Sequence, residues 1–109
     1  MESNIKAAQL LFKQNKHLET IETCQELVTS NIDALEALQL MATSMAVLGE
    51  KENAILALEK ALALNPNALK IHNELGNLYK ALGNINSAKK QYQNAIQINS
   101  NYAPALTNL

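Results

Sequence analysis

The sequence predicts an all-α fold, an α-solenoid of antiparallel helical hairpins, on three observations. Sliding the chain against itself by 34 residues superimposes Asn31, Asn65 and Asn99, then Leu48 on Leu82, Gly49 on Gly83, Ala54 on Ala88 and Ala61 on Ala95. A fixed period of this size marks stacked supersecondary units. Within a period the apolar residues recur three or four apart, as in Leu38, Met41, Met45 and Leu48 and then Ile55, Leu58 and Leu62, the spacing of helices with one buried face. Helix-breaking residues interrupt that spacing between helices, so each period reads as two helices and a turn.

The register divides the single 1–109 domain into units 1–34, 35–68 and 69–102, with a partial fourth unit at 103–109 and no insertion. Helices are expected near 2–14, 18–30, 34–48, 52–64, 68–82 and 86–98, with a short one from 102. Gly49 and Gly83 each follow a leucine at the end of an apolar stripe, where glycine supplies the left-handed residue that closes a helix. At Asn65-Pro66 the asparagine can cap and the proline can open the next helix. The first unit departs most, with Asn15, Thr20 and Leu27 where both later units have glycine, alanine and alanine, Cys24 where they have Leu58 and Tyr92, and Ile32 where they have Pro66 and Ser100.

Small residues fall where paired helices must approach. Ala8, Ala42 and Gly76 face Thr20, Ala54 and Ala88 across the hairpins, and leucine at 54 or 88 is expected to cost about 1–3 kcal/mol by overpacking. Leu58, Leu62, Tyr79 and Tyr92 then fill the space between hairpins, because no single hairpin buries its apolar face alone.

Composition excludes several classes. With 48% hydrophobic residues, 3 Gly and 2 Pro the chain is neither disordered nor linker-like. One cysteine excludes an internal disulfide framework. Without a signal-peptide core near Met1 or an 18-residue apolar run, a soluble, cytoplasmic protein with no membrane partner is expected. All nine basic residues are lysine and the net charge is -1. The absence of arginine forks and of a basic stripe argues against nucleic acid as a partner.

No residue pattern points to catalysis. His17, in the turn between the first two helices, and His72, in a packing position, have no second ligand at metal spacing, and structural zinc needs about four converging donors. Cys24 falls on a core position and reads as a buried, inert thiol. Glu19, Glu22 and Glu26 lie along one helix as a solvated face, Glu50 and Glu52 lie in a turn, and Ser44 and Ser87 carry no nucleophile signature. No metal, no cofactor and no enzyme activity are expected within 1–109.

His72-x2-Leu75-Gly76-x2-Tyr79 followed by Ala88-x3-Tyr92 resembles the tetratricopeptide repeat pattern W-x2-L-G-x2-Y, A-x3-F, with histidine in place of tryptophan. The second unit keeps Ala42, Ala54, Ala61 and Pro66, so the resemblance covers the chain and strengthens toward its C-terminus. It implies a right-handed superhelix whose concave groove is lined by the first helix of each repeat, from Glu2 and Ile5 onward. The implied peptide-binding set is Gln9, Phe12, Lys13, Gln39, Thr43, Val47, Lys70, Asn73, Asn77 and Lys80. In it Gln39, Asn73 and Asn77 can hydrogen-bond the backbone of an extended peptide, and Phe12 and Val47 can take an apolar anchor.

The same resemblance disfavours one subfamily, the co-chaperone repeats that grip the C-terminal carboxylates of heat-shock chaperones with lysine, asparagine and arginine. The matching positions here are Ile5, Gln9, Leu40, Lys70 and Glu74, of which Lys70 alone agrees. A protein or extended-peptide scaffold is the first reading. The alternatives are a recruiting arm of a larger enzyme of glycosyltransferase or sulfotransferase type, and a self-association module; a pentatricopeptide-like RNA reader ranks last. Because the fourth unit stops early, the third hairpin is expected to expose an apolar side, including Tyr92, Ile96 and the Ala105–Leu109 stub. That implies either the N-terminal part of a longer protein or a homodimer through the uncapped C-terminal repeat.

Overall fold

The computed structural model describes residues 4–108, which form seven helices and no strand. The expected groove position Glu2, the expected helix start at residue 2 and Leu109 lie outside the described residues. The chain divides into two compact units between Leu64 and Asn65. The first holds α1 (Ile5–Lys13), α2 (His17–Thr29), α3 (Ala34–Val47) and α4 (Lys51–Leu64); the second holds α5 (Leu69–Ala81), α6 (Ile85–Ile98) and α7 (Ala103–Asn108). Among the described residues no helix is long and apolar enough to cross a membrane.

Every hairpin closes with the same local chemistry. Asn15, Gly49 and Gly83, one period apart, have φ of 61°, 86° and 82°. The next backbone N–H donates back across the turn, from Lys16 to Leu11 O at 3.0 Å, Glu50 to Met45 O at 2.8 Å and Asn84 to Tyr79 O at 2.8 Å. These bonds satisfy carbonyls that a helix end leaves without a partner. Asparagine is the residue after glycine that best tolerates this backbone, so the first unit keeps the turn without the glycine.

The connections between hairpins differ from the sequence expectation. Pro66 does not open α5. The helix begins at Leu69 behind Ala68, and Asn65 Oδ1 instead accepts from the Asn67 N–H at 3.2 Å. Asn99 Oδ1 accepts from Asn101 N–H in the same way at 3.0 Å. Asn31, which precedes isoleucine rather than proline, adopts φ 55°. Asn99 is followed by Ser100, so the turn of Asn65 does not require the proline after it.

In the first unit Ala8, Thr20, Ala42 and Ala54 are all buried, as the spacer argument requires. Thr20 is tolerated at an alanine position because its hydroxyl donates to Lys16 O at 2.8 Å, so no polar group is stranded in the core. His17 is the first residue of α2 rather than a turn residue. Its Nδ1 lies 3.2 Å from the buried Ser44 Oγ of α3, and its ring meets Phe12 of α1 edge-on, 5.4 Å between centroids. One imidazole therefore links three helices.

In the second unit the core gathers on α6. Ala88, Tyr92, Ala95 and Ala105 are buried together, with Leu69, Tyr79, Ile96 and Tyr102 packed against them. This corrects the expectation of an exposed apolar end: Tyr92 is 1% exposed and Ala105 is buried, because α7 packs on α5 and α6. Leu106 stays 50% exposed. The six-residue α7 suffices because a residue as small as Ala105 lets it settle close to the tyrosine. Gly76 lies directly beneath that ring, and a Cβ added there would overlap it. The nearest obstacle to a side chain at position 76 is thus Tyr92, not the Ala88 inferred from the repeat register.

His72 occupies the tryptophan position of the pattern as a buried polar staple. Nε2 lies 2.9 Å from Pro66 O and Nδ1 lies 2.9 Å from the Gln91 side-chain amide. A carbonyl oxygen only accepts, so Nε2 donates its N–H to Pro66 O, while Nδ1 faces the Gln91 Oε1. The proline turn is thereby tied to both helices of its hairpin.

Candidate functional site

The residues expected to contact a peptide lie on the first helix of each hairpin. In the first unit α1 and α3 pack side by side. Gln9 and Lys13 are exposed on α1, while Gln39 and Thr43 are half-buried on α3 and Val47 is 60% exposed at its end. Two of this set are partly committed within the protein. Phe12 is half-buried against His17, and the Thr43 hydroxyl donates to Gln39 O at 3.0 Å. Gln9, Lys13, the side-chain amide of Gln39 and Val47 remain the groups able to meet a ligand.

In the second unit Lys70, Asn77 and Lys80 are exposed along α5 and Asn73 is half-buried. Here the structure adds roles that residue types alone did not reveal. Asn77 Oδ1 accepts the Tyr92 hydroxyl at 2.6 Å. Asn73 Oδ1 accepts from Asn108 Nδ2 at 3.1 Å, tying α7 to α5. Each asparagine retains its NH2 for donation to a peptide carbonyl, and each also supports the fold. These pairings span 15 and 35 residues, so no local motif signals them.

Sequence reasoning also missed two surface depressions in the first unit. A shallow cleft of about 160 Å³ lies between α2 and α4 over α3, lined by Met41, Met45, Leu56 and Lys60 among others. Another, of about 270 Å³, opens at the hairpin ends beside His17, Leu18 and Leu48. Both are wide open to solvent, and neither gathers donors suited to metal. No group of three or more His, Cys, Asp or Glu able to hold a metal ion is found among the described residues.

Cys24 is fully buried, and burial pushes its thiol from the ordinary 9.0 up to about 11. The thiol is therefore protonated at neutral pH and shielded from reagents, as an inert core residue should be. Burial also raises the Tyr92 phenol above its ordinary value. Both groups favour their protonated form in the folded state. The contribution of Cys24 to stability is intact below pH 9 and is lost as pH rises through about 11, and that of Tyr92 is lost only at pH above its ordinary 10.0. We expect Cys24 to resist a thiol-exchange reagent at pH 8 until urea unfolds the chain; rapid labelling of the folded protein would contradict its burial.

Comparison with known proteins agrees with this architecture. Family models described as TPR repeat and tetratricopeptide repeat match residues 48–83 and 69–102, together about half of the chain. No curated protein sequence matches it. Among solved structures, MamA is similar at 25% identity over 94% of this chain and 60% of that chain, with a TM-score of 0.85. The second TPR domain of human RPAP3, in complex with the HSP70 peptide SGPTIEEVD, is similar at 20% identity, covering 98% of this chain and 89% of that one, TM-score 0.88. PcrH in complex with the chaperone binding region of PopB is similar at 13% identity over 94% and 86%, TM-score 0.83. The chain thus spans about three fifths of the MamA chain and most of the other two. Period, turn chemistry, spacer residues and family matches converge: the chain belongs to the tetratricopeptide repeat family, as an all-α solenoid of three hairpins with a fourth begun.

Proposed function

We propose that the protein is a non-catalytic, cytoplasmic scaffold that binds a protein segment or extended peptide along the first helices of its hairpins. The observation that carries this reading is the surface of those helices. Buried residues such as Ala42 and Leu75 hold the backbone in place, while Gln9, Lys13, Val47, Lys70, Asn77 and Lys80 stand exposed on it. Amides spaced along a rigid helix suit backbone carbonyls and N–H groups, and an exposed valine suits one apolar side chain. The similarity to RPAP3 and PcrH, both held with peptide or protein segments, supports this reading.

The ligand differs from the acidic tail that RPAP3 holds. At the positions that grip such a carboxylate this chain has Ile5, Gln9, Leu40, Lys70 and Glu74, and Ile5, Leu40 and Glu74 are also half-buried. We expect the peptide SGPTIEEVD to bind no better than millimolar by calorimetric titration; micromolar binding would sink this assignment.

A random peptide display library, selected against the protein, tests the wider proposal. Selected peptides should lose about tenfold or more in affinity to a Val47→Asp, Gln39→Ala variant. These positions are preferable to Phe12 and Asn77, which also support the fold. Selected peptides that bind the variant unchanged would place the binding surface elsewhere. A homodimer through the C-terminal repeat has less to rest on, since Tyr92 is buried and α7 packs its own Ala105 into the same cluster.

A further inference from the structure

The two units carry opposite charge. Residues 1–64 hold nine acidic side chains against five lysines, a net of −4, whereas residues 65–109 hold four lysines against Glu74, a net of +3. The overall charge of -1 hides this asymmetry. It follows the second helices of the hairpins in order. Helix α2 carries Glu19, Glu22 and Glu26 with no lysine, α4 carries two of each sign, and α6 carries Lys89 and Lys90 with no acid.

The charged side chains of α2 and α6 are exposed and sit beside uncovered apolar groups. Glu19, Glu22 and Glu26 fall three and four apart on one stripe of α2, next to Leu18, which is 66% exposed. On α6 the exposed Lys89 and Lys90 follow Ile85, which is 47% exposed. A helix face with an apolar residue beside charges of one sign is suited to a partner carrying the opposite sign and its own apolar residue.

We propose that the occupant of each face is a second copy of this chain, docked head to tail, with the acidic α2 face of one molecule against the basic α6 face of the next. The charges exclude the joining of like faces. Joining two α2 faces would oppose six carboxylates, and joining two α6 faces would oppose four lysines. Only unlike faces attract. A single such contact is heterologous, and a second one made in the reverse sense between the same two molecules closes a two-fold dimer. It does not depend on the peptide-binding reading, which uses the other helices of the hairpins.

Sedimentation velocity and light scattering across protein concentration supply the test. At 50 mM salt we expect a mass that rises with concentration above that of the monomer, and association weakened about tenfold or more at 0.5 M salt, where exposed charges are screened within a few ångströms. Lys89→Glu with Lys90→Glu, or Glu22→Lys with Glu26→Lys, should each leave a monomer with unchanged helical circular dichroism. Mixing these two variants should restore association, because each then offers the charge that the other lacks. A wild-type chain that stays monomeric at several hundred micromolar in low salt overturns the proposal. Association indifferent to salt and to both charge reversals overturns it equally, since the contact would then be apolar and lie elsewhere.

Discussion

Replacing Tyr92 by alanine should destabilise the protein by about 3–5 kcal/mol, the usual range for deleting a buried aromatic ring. That is a large share of what holds a domain of this size together. The ring is enclosed by Leu69, Tyr79, Ile96, Tyr102 and the buried Ala88, Ala95 and Ala105, so its removal opens a cavity bordered by three helices. The phenylalanine variant separates packing from hydrogen bonding. It keeps the ring and loses only the 2.6 Å bond to Asn77, a change of about 1 kcal/mol. Urea titration followed by circular dichroism reads both. An alanine variant no less stable than the phenylalanine variant would mean that the ring does not anchor this unit.

Alanine at position 76 sets two effects against each other. Glycine within a helix is intrinsically worse than alanine by about 1 kcal/mol, so propensity alone favours the substitution. The new methyl group, however, would overlap the Tyr92 ring. That ring is fully enclosed and its hydroxyl is tethered, so it cannot swing away at low cost. Overpacking of a closed core costs about 1–3 kcal/mol, and we expect a net loss of stability. The test is a double-mutant cycle. In a Tyr92→Leu background the obstructing ring is gone, and Gly76→Ala should become neutral or stabilising. A loss of equal size in both backgrounds would show that the ring is not the obstacle.

The helices were legible because two periodicities agreed. The 3.6-residue apolar spacing placed them, and the repeat fixed where they stop, so observed bounds such as Lys51–Leu64 and Ile85–Ile98 lie close to the expected 52–64 and 86–98. Asn15 shows why a degenerate unit still folds alike. What the turn needs is a backbone conformation, and asparagine reaches it at φ 61°. Pro66 shows the opposite case. A proline two residues after a helix suits either the opening of the next helix or a tight turn before it, and the choice was made by Asn65 Oδ1 and His72, the second of which lies in another element.

The site was less legible than the fold. Gln9, Lys13, Val47, Lys70 and Lys80, all exposed, were named from the repeat positions that the family resemblance implies. The double duty of Asn73 and Asn77 was not legible, because their partners Asn108 and Tyr92 sit on other helices and residue type alone gives no sign of the pairing. Tyr92 itself was assigned to an uncovered end, because a seven-residue remnant looked too short to cover anything. Coverage turned instead on how closely a short helix can approach, which the alanine at 105 decides.

The recurring turn at Asn15, Gly49 and Gly83 also bears on how such a protein acquires its length. Each hairpin closes with bonds drawn wholly from its own residues, Lys16 to Leu11, Glu50 to Met45 and Asn84 to Tyr79. An in-frame genetic duplication or loss of one whole period would therefore leave every surviving turn chemically complete. Repeat number becomes a heritable trait that can change in a single event, while outward-facing residues drift one at a time. The asparagine at position 15 shows the latitude this leaves, since it holds at φ 61° the geometry that glycine supplies in the other two turns.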